Sequence, residues 1–494
     1  MYELVRDQAT RTLKWAALAQ VLGRFAQPAV LILLARILAP QEYGVLEVSI
    51  LVITLGQLLL DMGLSKALIQ TREDQAKAAN VVFWSNASLG IVLYLVIFIT
   101  ADWIAAFFRE PQIGPVLRVA GLQLPLLSLS IVQMAIAQRQ LKYERQFVAM
   151  AASGLAMIAI TLALTGLGFG LWAFVFGALI GAATQVVAYW LIAPWRPSLR
   201  SFEISLAPQL LGFGSLATIE LLEGWFLNYG DNVVVGRFLG VENLGTYALA
   251  FNIAVFGIAL VMNPIVSVAY ASFSRLSDDW GKLLKAFKNT VHLSAVIVIP
   301  LGLGLILLAD QISEVFLQGR WPGIATIIRI LAISPGLTWV VVSINPELYR
   351  AVGRTDIMPR LLLAAIAYSL PAYLIGVQFG LVGFAIARFS IGILFLPIHV
   401  WLISKTMGVR ASYMLDAVKT PALSGVMMAA AVLLVLASFP DLRPGLAWLP
   451  SLTAVLIGGA TYIMGLWIFD REIVLRGYAL ARLAMGSDAK SDQP

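Results

Sequence analysis

Three carboxylates lie at helical spacing within one mostly apolar segment of the chain. Glu220, Glu223 and Asp231 fall on a single helix face, together with Gly224 and Asn228. Three carboxylates on one stripe cannot all face lipid, because ionised groups at membrane depth need a wet cavity or a partner. The pattern predicts either a cation- or proton-coupling site or structural pairing with basic side chains.

Two arginines also lie inside apolar segments. Arg24 is in AQVLGRFAQP, with Gln20 and Gln27 at helical spacing, and Arg388 is in AIARFSIG. A guanidinium at the centre of a membrane helix costs about 2.5–3.5 kcal/mol on insertion scales, and its planar fork suits phosphate. A direct role in binding substrate or ion is one interpretation of Arg24, and a structural ion pair with Glu220 or Glu223 is the other.

Uncharged polar side chains occur in further apolar segments and are candidates to line the same cavity. They are Gln123, Gln133, Asn252, Asn263 and Asn345. We predict substrate binding by Arg24, Arg388, Gln20, Gln27, Asn252 and Asn345, and ion coupling by Glu220, Glu223 and Asp231.

Several kinds of chemistry are not expected from this composition. The chain has no cysteine and two histidines, which argues against thiolate or multi-histidine metal sites. It has no glycine-rich loop followed by Lys-Ser/Thr, no HExxH motif, and no outward loop long enough to hold a catalytic domain. We therefore expect no metal, no cofactor and no enzymatic activity. A membrane glycan polymerase or ligase is the competing enzyme class, and the lack of a large outward loop argues against it.

The high apolar fraction and low charged fraction of the chain require lipid as the solvent for much of it. Of 494 residues, 60% are apolar and 12% are charged, against roughly a quarter charged in soluble proteins. Segments of about 20 apolar residues predict an all-α polytopic membrane protein with about fourteen spanning helices. The predicted spans are 15–35, 45–66, 80–100, 117–137, 147–166, 171–193, 209–235, 245–271, 289–309, 325–349, 359–378, 381–403, 415–438 and 447–469.

Most of the 34 lysines and arginines fall in alternate loops, on the same side as the N-terminus. This asymmetry predicts that both termini are cytoplasmic. The net charge of +7 is therefore an orientation signal, and we expect no nucleic-acid partner.

The two halves of the chain resemble each other. ARILAPQEYG at 35–44 aligns with GRFLGVENLG at 236–245, and FGLWAF at 169–174 aligns with FGLVGF at 379–384. A six-helix repeat enters the membrane twice in the same direction, which predicts two parallel lobes around a transport cavity. The predicted domains are an N-lobe at 1–205, a C-lobe at 206–408, two further helices at 409–470 and a cytoplasmic tail at 471–494.

Four stretches carry a resemblance to a known family: ARILAPQEYGVLEV, DMGLSKALIQ, NYGDNVVVGRFLGVENLGTYALAFNI and ASFSRLSDD. They resemble the Wzx-type polysaccharide transporters of the multidrug/oligosaccharidyl-lipid/polysaccharide (MOP) superfamily, in particular the exporters of colanic acid and related exopolysaccharides. The resemblance covers nearly the whole chain and is most specific at 228–252, although Ala271 stands where the family often has proline.

The resemblance implies a flippase for undecaprenyl-diphosphate-linked oligosaccharide in the bacterial inner membrane, acting in exopolysaccharide or lipopolysaccharide biosynthesis. It implies alternating access coupled to H⁺ or Na⁺, with basic cavity residues for the headgroup. Membrane lipids, a polysaccharide polymerase and a chain-length regulator are the candidate partners. The alternative is a cation-coupled multidrug exporter of the same superfamily.

Overall fold

The structure is a computed structural model that describes residues 27–61, 68, 75–140, 142–198, 207–439 and 448–475, with backbone alone for Asp61, Gln75 and 207–220. Most of these residues are helical, and none of them forms a strand. After a helical stretch at 27–34, the helices are α1 Pro40–Asp61, α2 Gln75–Phe108, α3 Ile113–Ala120, α4 Gln123–Ser128, α5 Ile131–Arg139, α6 Tyr143–Gly166, α7 Leu171–Ile192, α8 Ala207–Phe238, α9 Val241–Arg275, α10 Trp280–Leu307, α11 Ile324–Val342, α12 Asn345–Ala351, α13 Ile357–Gly376, α14 Gly380–Met407, α15 Ala411–Ala437 and α16 Trp448–Phe469.

The all-α polytopic architecture is confirmed, whereas the count of fourteen spans is not. Among the described residues, ten helices are long and apolar enough to cross a membrane, or eleven if one bent helix pair forms a single span. One of the ten, Ile357–Met407, covers two predicted spans. It is interrupted by a single 3₁₀ turn at Val377–Phe379, followed by Gly380 with a φ of +72°.

The fourth predicted span is a broken helix. Ile113–Ser128 and Ile131–Arg139 meet at an angle of 41°. The hydroxyl of Ser128 donates to the Pro125 carbonyl at 2.7 Å, and that of Ser130 donates to the Leu127 carbonyl at 2.9 Å. Both hydroxyl hydrogens are thus satisfied by local backbone carbonyls at the break, as a membrane interior requires.

Helices α6 and α7 pack closely because glycines face the partner helix. A methyl group placed on Gly177 would lie 2.0 Å from Thr161 Oγ1, and one on Gly181 would lie 3.0 Å from Met157 Cβ. Small residues four apart let two membrane helices approach to backbone distance. In this contact the Ser153 hydroxyl donates to the Gly181 carbonyl at 2.8 Å.

The described chain falls into two compact units. The first contains the residues up to Asn252 together with Leu362–Phe384, and the second contains Ile253–Leu361 together with the residues from Ala385 onward. Phe83, Val132 and Ile136 belong to a core cluster of the first unit. Phe273, Phe287 and Tyr349 belong to the main core cluster of the second. The predicted division into lobes at residues 205 and 408 stays a prediction.

Candidate functional site

The first unit contains a cavity of about 290 Å³ lined by neutral polar and apolar groups. Its walls come from the helical stretch 27–34 and from α1, α4, α6 and α7, with apolar surface from side chains such as Phe174 and Met157. None of the described residues that line it is charged. The polar lining residues are Gln27, Ser49, Thr54, Gln57, Gln123, Ser153 and Gln185.

Helical spacing explains how α1 contributes so much of this lining. Ser49, Ile53 and Gln57 recur every four residues and therefore share one face of the helix. The hydroxyl of Ser49 donates to the Val45 carbonyl at 2.9 Å, and that of Thr54 donates to the Leu51 carbonyl at 3.0 Å. These bonds satisfy the hydroxyl hydrogens within the helix, while their oxygens retain acceptor capacity.

The four glutamines give the cavity its chemical character. Gln27, Gln57, Gln123 and Gln185 are all partly exposed, and each amide offers two N–H donors and a carbonyl acceptor. Such a lining suits a neutral ligand with many hydroxyl groups, since each hydroxyl both donates and accepts.

A second polar group in the first unit is a buried cluster around two carboxylates. Glu47 is 4% exposed and Asp231 is 1% exposed, and the two are close enough for their like charges to interact. Asn252 Nδ2 lies 3.2 Å from the Tyr43 hydroxyl and 3.4 Å from Glu47 Oε1.

Asp231 accepts two hydrogen bonds in this cluster. The Tyr247 hydroxyl donates to Asp231 Oδ2 at 2.7 Å, and the Asn232 backbone N–H donates to Oδ1 at 2.9 Å. Uptake of a proton or cation between Glu47 and Asp231 would relieve the repulsion between the two charges. This arrangement can therefore support ion coupling.

Thr54 connects the cavity with the buried cluster. It lines the cavity, and its Oγ1 accepts a hydrogen bond from Trp225 Nε1 at 3.2 Å. Thr54 also bonds to Tyr229, whose environment includes the charges of Glu47 and Asp231. A change in charge within the cluster can thus act on Tyr229 and, through Tyr229, on Thr54 in the cavity wall.

The predicted site residues lie in different parts of the molecule. Gln27 lines the cavity, and Asn252 and Asp231 belong to the carboxylate cluster. Glu223 is partly buried on α8, eight residues before Asp231. Arg24, Gln20 and the side chain of Glu220 lie outside the described residues.

Two predicted residues belong to the second unit. Arg388 is partly buried on α14. Asn345 is fully buried at the start of α12, with Nδ2 3.4 Å from His399 Nδ1.

Glu47, Gln57 and Gln185 are not among the predicted site residues. All three lie inside long apolar segments, and polar groups there are functional candidates by default. Glu47 lies only three residues after Gly44, close to the expected helix start, where a carboxylate is ordinarily favourable. Among the described residues, no group of three or more histidine, aspartate or glutamate side chains could hold a metal ion.

Comparisons with known proteins agree with the transporter fold. WzxC of Escherichia coli (strain K12), a lipopolysaccharide biosynthesis protein, is 26% identical over 76% of this chain and 76% of its own length. ExoT of Rhizobium meliloti (strain 1021), a succinoglycan biosynthesis transport protein, is 26% identical over 66% of each chain. The structure of the lipid II flippase MurJ in an inward closed conformation superposes with a TM-score of 0.75, at 15% identity, over 93% of this chain and 99% of MurJ.

A family defined as polysaccharide biosynthesis proteins matches residues 33–326, more than half of the chain. At 15% identity, the likeness to MurJ shows that the two chains share a fold. The chain therefore belongs to the polysaccharide biosynthesis protein family, and its resemblance to the Wzx-type transporters is confirmed.

Proposed function

We propose that this protein is a flippase that carries undecaprenyl-diphosphate-linked oligosaccharide units across the bacterial inner membrane for exopolysaccharide or lipopolysaccharide biosynthesis. It works by alternating access with both termini in the cytoplasm. Two relatives, WzxC and ExoT, are named for polysaccharide biosynthesis, and MurJ, which shares the fold, is named for flipping lipid II. A diphosphate-linked sugar cannot cross about 30 Å of hydrocarbon unaided.

The observation that carries this proposal is the amide-lined cavity of the first unit. Its described lining is uncharged and contains four glutamines and three hydroxyl side chains. Sugar hydroxyls pair with amides as both donors and acceptors, whereas a cationic drug requires carboxylates or aromatic faces. The cavity therefore favours a glycan over the cations that a multidrug exporter would carry.

The diphosphate needs a different environment from the sugar, and Arg24 is our candidate for it. In the sequence Arg24 precedes the cavity residue Gln27 by three positions, the spacing of one helix face. Arginine binds phosphate bidentately, so Arg24 next to the glutamines would place the charged and sugar parts of one substrate side by side. Arg388 stays a second candidate for the headgroup.

Ion coupling is proposed at Glu47 and Asp231, with Glu223 and Glu220 on the same helix as Asp231. The like charges of Glu47 and Asp231 interact inside a buried cluster. A proton or Na⁺ that enters the cluster would change its net charge and its hydrogen bonds. Thr54 contacts Tyr229 beside the cluster and also lines the cavity, so it connects the two sites.

The test is reconstitution of the purified protein in liposomes with a fluorescent undecaprenyl-diphosphate oligosaccharide. Flipping is measured as loss of the label's accessibility to a membrane-impermeant quencher, with an imposed H⁺ or Na⁺ gradient and without one. We expect the native protein to flip the lipid and Arg24→Ala to insert normally without flipping it. Expulsion of a cationic dye without movement of the glycolipid would instead support the multidrug exporter.

A further inference from the structure

The second unit contains a pocket of about 400 Å³ with charged walls of both signs. It lies where three helices reach one end of the unit. Lys285, Lys288 and His292 come from the N-terminal half of α10, Asp416 comes from the second turn of α15, and Asp470 and Glu472 directly follow α16. Nothing in the proposed transport path uses this pocket.

Aromatic side chains place this end of the unit at the boundary between lipid and water. Trp280 at the start of α10 is 42% exposed, and Trp467 near the end of α16 is 44% exposed. The Lys288 ammonium lies 4.7 Å from the Tyr413 ring centroid, and the Arg471 guanidinium lies 4.9 Å from that of Trp467. Tryptophan, tyrosine and basic residues concentrate at the level of the lipid headgroups.

One wall of the pocket is fixed by a histidine. His292 Nε2 lies 2.8 Å from Asp470 Oδ2, and His292 Nδ1 lies 2.7 Å from the Ala417 carbonyl oxygen. Both ring nitrogens therefore lie within hydrogen-bond distance of an oxygen, and the protonated ring would form an ion pair with Asp470. This pair ties α10 and α15 to the segment after α16 and gives the pocket a defined shape.

The remaining charged lining groups are two ammonium groups and two carboxylates: Lys285, Lys288, Asp416 and Glu472. An anionic headgroup would meet both lysines but would be repelled by both carboxylates. A zwitterion with a phosphate and a primary ammonium a few bonds apart can satisfy both walls at once.

We propose that this pocket binds the phosphoethanolamine headgroup of a membrane phospholipid, with the phosphate on Lys285 and Lys288 and the ammonium on Asp416 and Glu472. The ammonium donates N–H bonds to the carboxylates. A phosphocholine headgroup lacks these donors and is wider, and a phosphoglycerol headgroup lacks the positive charge.

Native mass spectrometry of the purified full chain tests this binding directly, and its result does not depend on transport. The protein is titrated with phosphatidylethanolamine, phosphatidylglycerol and phosphatidylcholine of the same acyl chains. We expect one equivalent of phosphatidylethanolamine to be retained preferentially. Lys285→Ala/Lys288→Ala should weaken this retention at least about tenfold, since each lysine is expected to contribute a charge-assisted bond.

Two further variants sharpen the result. Asp416→Asn adds one net positive charge to the pocket, so its preference should shift from phosphatidylethanolamine towards phosphatidylglycerol. Lys282→Ala is the matched control, because Lys282 is on the same helix but pairs with Asp279 at 2.9 Å and is not part of the pocket lining; this variant should bind as the native protein does. If the double alanine variant does not fold, Lys285→Gln and Lys288→Gln are compared singly with the corresponding arginine substitutions, which should keep binding.

Equal retention of the three lipids by the native protein would overturn the proposal, as would unchanged phosphatidylethanolamine binding in the folded lysine variants. Undecaprenyl diphosphate serves as the competitor that distinguishes the transported lipid from a membrane phospholipid. Its displacement of phosphatidylethanolamine at lower concentration than phosphatidylglycerol would overturn the zwitterion assignment and identify a diphosphate site.

Discussion

Gly44 on α1 and Gly245 on α9 are in direct backbone contact. A methyl group placed on Gly245 would lie 2.9 Å from the Gly44 nitrogen and 1.9 Å from the Pro40 carbonyl oxygen, and one on Gly44 would lie 1.9 Å from the Val241 carbonyl oxygen. Pro40 and Val241 are the first residues of their helices. Equivalent positions of the two sequence repeats therefore meet reciprocally, as across a two-fold axis.

We predict that Gly44→Ala and Gly245→Ala each destabilise the protein. The added methyl would overlap backbone atoms, which cannot rotate away, and overpacking of this kind costs about 1–3 kcal/mol. The measurement is the thermal unfolding midpoint of the purified protein in detergent. Gly257→Ala is the matched control, because Gly257 is also on α9 and has open space where its methyl would be; this variant should be at least as stable as the native protein. Equal midpoints for Gly245→Ala and Gly257→Ala would contradict the contact.

The cavity glutamines should matter for transport more than for folding. We predict that Gln57→Leu and Gln185→Leu each lower the flipping rate roughly 2- to 10-fold, the equivalent of one hydrogen bond of about 0.5–1.5 kcal/mol to the sugar. The rate is measured with the fluorescent glycolipid in liposomes. Gln378→Leu, a substitution at an exposed glutamine outside the cavity, should leave the rate unchanged. Native rates in both cavity variants would remove these amides from the substrate path.

Much of this architecture could be predicted from the sequence because hydrophobic length is a local property. From 45–66 onward, each predicted span falls, within the described residues, on a helix or on consecutive helices with a short break, as at the fourth span and at 325–349. The number of spans is not a local property, since Val377–Phe379 interrupts a continuous apolar stretch by a single turn. Periodicity alone does not decide whether such a turn separates two spans.

The partners of the polar side chains could not be predicted in the same way. Asn252 was expected to bind substrate, and the structure places it against Tyr43 and Glu47. Glu47 comes one turn after Gly44, and Asn252 comes two turns after Gly245. The close approach of these two glycines brings the amide and the carboxylate together. Such a contact depends on tertiary packing between segments about 200 residues apart, which helical spacing within one segment does not reveal.

Neutralising the buried carboxylates should uncouple transport from the ion gradient. We predict that Glu47→Gln and Asp231→Asn insert and fold but lose most of the acceleration that an imposed H⁺ or Na⁺ gradient gives, because each removes one of the two interacting charges. The measurement is the ratio of flipping rates with and without the gradient. Glu242→Gln, at an exposed glutamate in the first turn of α9, should keep the native ratio. A native ratio in both cluster variants would place the coupling site elsewhere.

The start of α10 should respond to acid through its cap. Asp279 accepts a hydrogen bond from the Lys282 backbone N–H at 3.1 Å and forms an ion pair with the Lys282 ammonium at 2.9 Å. The side-chain and backbone bonds from Lys282 lower the pKa of Asp279. The Asp279 carboxyl therefore binds a proton less tightly when it caps the folded helix than when the helix end is frayed. The stabilisation that the cap gives to the start of α10 is fully present above the ordinary carboxyl pKa of about 3.9. It is lost as the pH falls through the lowered pKa of Asp279.

We predict that the backbone amides of 280–284 are protected from hydrogen exchange near neutral pH, after correction for the intrinsic exchange rate, and that this protection falls below about pH 4. Asp279→Ala should remove the protection at every pH, because it removes the oxygen that caps the helix. Asp279→Asn keeps a capping oxygen without the titrating charge, so its protection should be partial and independent of pH. Acid-sensitive protection that persisted in Asp279→Asn would show that another group controls the start of this helix.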